Sequence, residues 1–360
     1  MARIALDHIR HAYMANPQAQ ADYALKEVDH VFEDGGAYAL LGPSGCGKTT
    51  LLNIISGLLT PSHGRLMLGE RDVTLLRTED RNIAQVFQFP VVYDTMSVFD
   101  NLAFPLRNRR IAEDQVAKKV NEILDIIDLA PMAHRKARGL TADLKQKVSL
   151  GRGLVRSDVN AILFDEPLTV IDPHMKWQLR SQLKLLHREF GYTMVYVTHD
   201  QTEALTFADT VVVMHDGAIV QIGTPADLFE RPRHTFVGYF IGSPGMNVLP
   251  VSIEGTTARL GSQSIALPGM LRQPASGIEL GVRPEYVRLG SEGMPVSISK
   301  VEDVGRHKVV RANLEGHEIA AVIGEDEALP ADPKMSFDPE GINIYANSWR
   351  VELDRSGMGA

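Results

Sequence analysis

Apolar residues recur along the chain in two kinds of pattern. Val116, Val120, Ile123, Leu124 and Ile127 fall at helical spacing, and so do Met175, Leu179, Leu183, Leu186 and Phe190. Each set predicts one face of an amphipathic helix. The segments "AYALL", "AILFDEP" and "TMVYVTHD" instead carry short unbroken apolar runs, the mark of strands buried on both faces. "GRLMLGERDV" predicts a strand pair with a turn, and "DTVVVMHDGAIVQIG" a hairpin turning at Asp216-Gly217. From residue 1 to about 235 strands and helices alternate. That pattern predicts a largely parallel sheet with ligands at the carboxyl ends of its strands. Residues 89 to 157 lack strand alternation and read as a mostly helical insertion. After about 236, "IGSPGMNVLP" reads as a linker. Short β-type runs such as "SQSIALP", "IELGVRP" and "KVVRANLEG" follow, separated by Gly and Pro. The expected organisation is an α/β domain over 1–235 and a small all-β domain over 236–360.

Composition narrows the function. With 37 basic and 45 acidic residues, the net charge of −8 argues against a generic nucleic-acid binder, which carries a basic excess. The one cysteine, Cys46, excludes a disulfide framework within the chain and disfavours a cysteine-based zinc site. The N-terminus "MARIALDHIR" has no signal-peptide core, and no apolar run approaches a membrane span.

The strongest chemical signal is "GPSGCGKT", residues 42–49, which fits the phosphate-loop pattern G-x-x-x-x-G-K-[ST] between an apolar strand and an apolar helix. Gly42, Pro43, Ser44, Gly45, Cys46 and Gly47 form a loop whose glycines let successive N–H groups face a phosphate. Lys48 brings charge to the β- and γ-phosphate oxygens, Thr49 a hydroxyl to Mg²⁺, and Thr50 a donor to the α-phosphate. The expected ligands are ATP and Mg²⁺. "AILFDEP" sets Asp165 and Glu166 at a strand end, Asp165 to hold Mg²⁺ and Glu166 to polarise the attacking water. "VYVTHDQTEAL" repeats that placement, with His199 positioned for the γ-phosphate. Gln88 in "AQVFQFP" is a candidate for Mg²⁺ or the water.

These motifs, in this order, resemble the ATP-binding subunits of ABC transporters, and the resemblance runs through the whole chain. "VFQFPVVYDTMSVFDNLAFPL" is similar to the family's Q-loop stretch, "FDEPLTVID" to its Walker B and D-loop ending at Asp172, and "VTHDQTEAL" to its switch histidine segment. "GAIVQIGTPADLFERPRHTFVGYFIGSPGMN" and "GVRPEYVRL" resemble the subgroup that imports sugars, polyols and glycerol phosphate. The resemblance implies a P-loop ATPase domain with a helical subdomain, then a β domain of TOBE/OB type. It implies two ATPase subunits beneath two membrane-spanning permease subunits, on the cytoplasmic face of a bacterial inner membrane, fed by an extracytoplasmic solute-binding protein. Tyr13 matches the aromatic that stacks on adenine, with Tyr23 as a rival because "MANPQAQAD" looks inserted. Residues 89 to about 105, with Phe89, Pro90 and Tyr93, match the groove for a permease coupling helix.

One segment departs from the family. Its signature is L-S-G-G-Q, and here "LTADL" replaces both glycines by Ala142 and Asp143 and the glutamine by Leu144. Thr141 keeps the hydroxyl and reads as a helix cap. In the family this segment faces the neighbouring subunit's γ-phosphate. Two unit charges about 4 Å apart repel by about 4 kcal/mol at an effective dielectric of about 20, so Asp143 opposes that contact. The expectation is a heterodimer with unequal ATP sites. The alternatives are a homodimer that tolerates the variant loop, a weakly hydrolysing regulatory subunit, and a soluble ABC protein of repair or translation. The last is disfavoured by the single phosphate loop and the acidic charge. The solute is not written in the motifs; glycerol is a preference among polyols, glycerol phosphate and sugars.

Overall fold

The chain begins with an alternation that a bulge conceals. In β1 (Ile4–His11), Ile4 and Leu6 are buried; the parity then slips at His8, whose φ is +52°, and Ile9 and His11 turn inward instead. β2 (Leu25–Phe32) pairs antiparallel with β1. β3 (Ala37–Leu41) is buried at every position and leads through the glycine loop into α1 (Lys48–Ser56), which stops at Gly57 with φ +85°. β4 (His63–Leu68) and β5 (Arg71–Asp72) complete an antiparallel sheet of order β2-β1-β4-β5. The sequence predicted only the β4–β5 pair of this sheet. One extra residue in β1 moves the apolar side chains from even to odd positions, so no strict period of two survives to be read.

The central sheet follows the prediction. Its remaining members are β6 (Ile83–Val86), β7 (Ala161–Asp165), β8 (Met194–Thr198), β9 (Thr210–His215) and β10 (Ala218–Gly223). The order is β10-β9-β3-β8-β7-β6. β3 runs parallel to β8 and β9, and β7 runs parallel to β6 and β8. The β9–β10 turn uses Asp216 (φ +47°) and Gly217 (φ +76°), as a tight hairpin requires. Between β6 and β7 lie α2 (Val98–Arg107), α3 (Glu113–Ile126) and α4 (Ala142–Leu154), so the insertion is helical among the described residues. α5 (Pro173–Phe190) and α6 (Gln201–Phe207) follow β7 and β8.

The computed structural model describes residues 2–156, 158–272 and 276–354. It divides into Met1–Ile222 and Gly223–Ala360. The first unit's core joins Leu40, Leu51, Ile55, Leu163, Val195 and Val212 across sheet and helix. The second holds α7 (Pro225–Glu230), α8 (Thr235–Phe240) and short strands around Leu249, Leu280, Val287, Ile319 and Met335. The sequence placed residues 223–235 in the first domain, whereas these contacts put them in the second unit. The expected linker "IGSPGMNVLP" is also built in. Met246 is buried, and the Asn247 side chain both donates to and accepts from the Ala320 backbone, at 2.9 and 2.8 Å. Arg283 holds α7 and α8 in place by donating to the carbonyls of Phe229 at the end of α7 and Ile241 just past α8. Burial pulls its pKa down to about 10.

Candidate active site

The glycine loop is shaped by what surrounds it. A Cβ on Gly42 would lie 2.2 Å from the Met214 carbonyl oxygen, and one on Gly47 2.7 Å from that of Ala24. Gly45 and Gly47 have φ of +82° and +98°, a region that favours glycine. α1 begins at Lys48 without a side-chain cap, so its first N–H groups point into the loop. The Lys48 ammonium is buried and donates to the carbonyls of Gly42 at 2.7 Å and Pro43 at 2.9 Å. Neutral carbonyls orient that charge without cancelling it, which keeps it free to pair with phosphate. Cys46 lies 3.9 Å from the same nitrogen, and burial pushes its thiol up, so it is a filler rather than a reactive group.

From the loop, contacts run across the strand ends. Thr49 Oγ1 lies 3.4 Å from Asp165 Oδ1 at the end of β7. That is long for a hydroxyl–carboxylate bond and leaves two hard oxygen ligands facing one point. Burial first, then the neighbouring Glu166 charge, raises the Asp165 pKa. Two carboxylates side by side in a half-buried site are a chemical fit to a divalent cation, which offsets both terms. Glu166 adopts φ +45°, a conformation that costs a non-glycine residue about 1–3 kcal/mol. Its N–H donates to Val197 on β8 at 3.0 Å, and the resulting turn aims its carboxylate at His199. Glu166 Oε2 and His199 Nδ1 are 3.0 Å apart, and Thr169 Oγ1 donates to the same oxygen at 3.3 Å. The structure thus brings Lys48, Thr49, Asp165, Glu166 and His199 together. Gln88 lies two residues beyond Val86, which pairs with Phe164, so the register sets it beside the end of β7.

The Tyr13 hydroxyl is 3.1 Å from Thr50 Oγ1, and its ring is 69% exposed. Tyr23 instead lies under the Arg10 guanidinium, 5.2 Å from ring centroid to carbon. Tyr13 thus stands exposed beside the first turn of α1, while the ring of Tyr23 is engaged by Arg10. The signature segment stands apart from these contacts. Thr141 is the N-cap of α4 by position, but its side chain makes no capping bond; it donates to Asp143 instead. That corrects the expected cap: a carboxylate in the first helical turn accepts the hydroxyl proton and gains from the helix dipole there.

Sequence reasoning missed three supporting side chains. Glu203, 3% exposed, accepts from the Tyr196 and Thr198 hydroxyls at 3.0 and 2.9 Å and pairs with Lys176 at 3.2 Å. It ties the strand that presents His199 to the helix after the D-loop. Its signal was Asp200-x-x-Glu203, the spacing of a capping box. Asp200 does cap α6, but Glu203 turns inward. Gln146 donates to the carbonyls of Phe87 and Pro167 at 3.0 and 2.9 Å, joining α4 to the Gln88 loop and to the end of β7. Arg81, 1% exposed, donates to Ile54, Ile55, Thr74 and Leu76 carbonyls and so fastens the end of α1. No local pattern marks Gln146 or Arg81.

A buried strand, a glycine loop with an inward lysine, and an acidic pair at the end of a parallel strand one place further along the sheet, across β8, define a P-loop nucleoside triphosphatase. Comparison with known proteins gives the family. Residues 25–169 match the family model described as "ABC transporter". The chain is 38% identical over 350 residues to an sn-glycerol-3-phosphate import ATP-binding protein UgpC of Ruegeria pomeroyi, covering 96% of this chain and 97% of that one. It is 40% identical to the UgpC of Yersinia pestis, over 84% of this chain and 86% of that one. Among solved structures, cbiO1 of Clostridium perfringens, part of the cbiONQ ABC transporter complex, has a TM-score of 0.57 at 25% identity, covering 63% of this chain and 90% of that one. The ATP-binding cassette MJ0796, in a post-hydrolysis state with ADP and Pi, has a TM-score of 0.55 at 26% identity, over 62% and 98%. The chain belongs to the ATP-binding proteins of ABC transporters. It is an ATPase that uses ATP with Mg²⁺.

Proposed function

We propose that this chain is the motor subunit of an importer for a small polar solute, with glycerol 3-phosphate and glycerol the first solutes to test. The run of contacts from Lys48 through Thr49, Asp165 and Glu166 to His199 carries the reading. Lys48 and the loop N–H groups hold the triphosphate. Thr49, Asp165 and Gln88 would hold Mg²⁺, which would supply charge to the phosphate oxygens. The Glu166 carboxylate orients a water toward the γ-phosphorus, and His199, steadied by Glu166, donates to the γ-phosphate as charge builds there. Tyr13 stacks on adenine. Among the described residues no helix is long and apolar enough to cross a membrane. The chain works on the cytoplasmic face of the inner membrane under two permease subunits, with an extracytoplasmic binding protein delivering solute.

The second ATPase subunit is a different polypeptide. Asp143 supports this, because its carboxylate occupies the first turn of α4, where the family presents backbone N–H groups to the partner's nucleotide. The partner's intact signature closes over this chain's ATP, which is hydrolysed; the partner's ATP, facing Thr141 and Asp143, turns over slowly. The experiment is purification of the native assembly, followed by solute-stimulated ATPase in vesicles across polyols, polyol phosphates and sugars. Stimulation by one solute, lost in Glu166→Gln, supports the motor reading. Persistence of hydrolysis in Glu166→Gln rejects it, and an assembly containing this polypeptide as its sole ATPase rejects the heterodimer.

A further inference from the structure

Two residues before Tyr13, at the end of β1, an imidazole is buried. His11 is 6% exposed, whereas the Tyr13 ring stands largely in solvent. The two rings meet edge to face, with centroids 4.8 Å apart and planes at 86°. His11 Nδ1 lies 3.4 Å from Ser62 Oγ, in the segment that joins α1 to β4. Ser62 is itself fixed to β1: its Oγ accepts from the Ala12 N–H at 3.1 Å, and its N–H donates to the Arg10 carbonyl at 2.9 Å. His11 Nε2 is buried with no hydrogen-bond partner. That nitrogen costs free energy that an apolar side chain of similar size would not. Burial lowers the His11 pKa more than the nearby Thr60 carbonyl raises it, so the ring is neutral near pH 7. The far end of the Tyr13 ring, its hydroxyl, is 3.1 Å from Thr50 Oγ1. Contact with His11 at one place and with Thr50 at another fixes the tilt of a ring that is otherwise open.

We propose that His11 is the positioning residue of the adenine subsite: its ring holds the Tyr13 ring at the tilt on which the base stacks, and so sets how strongly the chain prefers ATP to a bare triphosphate. This rests on the reading of Tyr13 as the aromatic that stacks on adenine and adds the group that orients it. Preorganisation is what the contact supplies. An exposed tyrosine free to rotate loses side-chain freedom when a base settles on it, whereas a ring already held loses little. An edge-to-face pair supplies that hold, and Ser62 keeps the imidazole from turning away. His11 meets Tyr13, Ser62 and the Thr60 carbonyl rather than the glycine loop. Its loss therefore falls on the base and spares the grip on phosphate.

The test compares MgATP with magnesium tripolyphosphate, which has no base, by calorimetric titration of the full chain. His11→Asn keeps a polar group within reach of Ser62 but has no aromatic ring; His11→Phe keeps a ring but gives up the Ser62 contact. His11→Asn should bind MgATP about fivefold more weakly, the size of one edge-to-face pair, with tripolyphosphate affinity changed less than about twofold. His11→Phe should stay within about twofold of wild type for both ligands. In a Tyr13→Ala background, His11→Asn should weaken MgATP binding no further. Wild-type MgATP affinity in His11→Asn, an equal loss of both ligands, or a full additional loss on top of Tyr13→Ala overturns the proposal and leaves stacking on Tyr13 standing. A Tyr13→Ala chain that keeps the wild-type preference for MgATP over tripolyphosphate overturns the stacking reading and the proposal together. A second arm needs no variant. With histidine and tyrosine side chains isotope-labelled in the wild-type chain, the nuclear Overhauser contact between the His11 and Tyr13 rings should persist in the MgATP complex, and the Tyr13 ring signals should shift with MgATP and not with tripolyphosphate. Loss of that contact on MgATP binding overturns the proposal.

Discussion

Glu203 supplies the sharpest test of how the site is held. In Glu203→Gln the side chain keeps its shape and can still accept from the Tyr196 and Thr198 hydroxyls, but it loses its charge. Bonds to a charged acceptor contribute about 1.5–3 kcal/mol and neutral ones about 0.5–1.5 kcal/mol, so two weakened bonds cost about 2 kcal/mol. The ion pair to Lys176, whose side chain is 22% exposed, adds less than about 1 kcal/mol. Relief from burying a carboxylate offsets part of this, and the expected net loss is about 2 kcal/mol. For a unit of this size that lowers the melting temperature by about 4–8 °C. Scanning calorimetry on the full chain measures it. The functional consequence is separable. Thr198 Oγ1 also accepts from the Asp200 N–H at 3.0 Å, so Glu203 orients the turn that presents His199. Its carboxylate bonds go to Lys176, Tyr196 and Thr198 rather than to the glycine loop. We therefore expect kcat of the assembled ATPase to fall about tenfold, with KM for MgATP changed less than about twofold. A lowered melting temperature with wild-type kcat would refute the positioning argument and leave Glu203 a purely structural residue. An unchanged melting temperature would refute the energetic one.

Four further outcomes follow from the geometry. Arg81→Met strips donors from four carbonyls and should destabilise the chain by about 3 kcal/mol, read by chemical denaturation, with weakened ATP binding because α1 is no longer fastened at its end. Burial and Glu166 raise the Asp165 pKa, so the folded chain holds that proton more tightly than the unfolded one. Stability gained from the proton is present at low pH and lost as pH rises through the raised pKa; Mg²⁺ needs the ionised form, so its stabilising effect in thermal melts should grow over the same rise and vanish in Asp165→Asn. Ala142→Gly with Asp143→Gly removes the carboxylate from the start of α4 and should raise ATP turnover at the site facing it by about tenfold or more in single-turnover assays; no change sinks the charge argument. Arg283→Met frees the ends of α7 and α8 and should cost the second unit about 3 kcal/mol by hydrogen exchange, while ATP binding by the first unit is retained.

Much of the candidate set was legible along the chain because its parts are local. A glycine loop, its lysine and its threonines are consecutive, and an acidic pair after a buried apolar run can only sit at a strand end. The hairpin at Asp216-Gly217 and the helices over 113–126 and 173–190 were equally readable, since their signals repeat within one element. The antiparallel sheet of β1, β2, β4 and β5 was not, because the bulge at His8 breaks the period that would announce it. Nor was the place of residues 223–247, whose Met246 and Asn247 look like linker until their partners on later strands are seen. The sequence by itself determined the chemistry on offer: which groups can bind phosphate, hold a cation and polarise water. The tertiary structure alone decided which of them meet, that Tyr13 contacts Thr50 while Tyr23 lies under Arg10, and that Glu203, Gln146 and Arg81 brace the strands and helices around them. The physical reason is range: backbone preference and periodicity act over a few residues, whereas a buried charge is settled by partners that can lie dozens of residues away and meet it only when the strands pack.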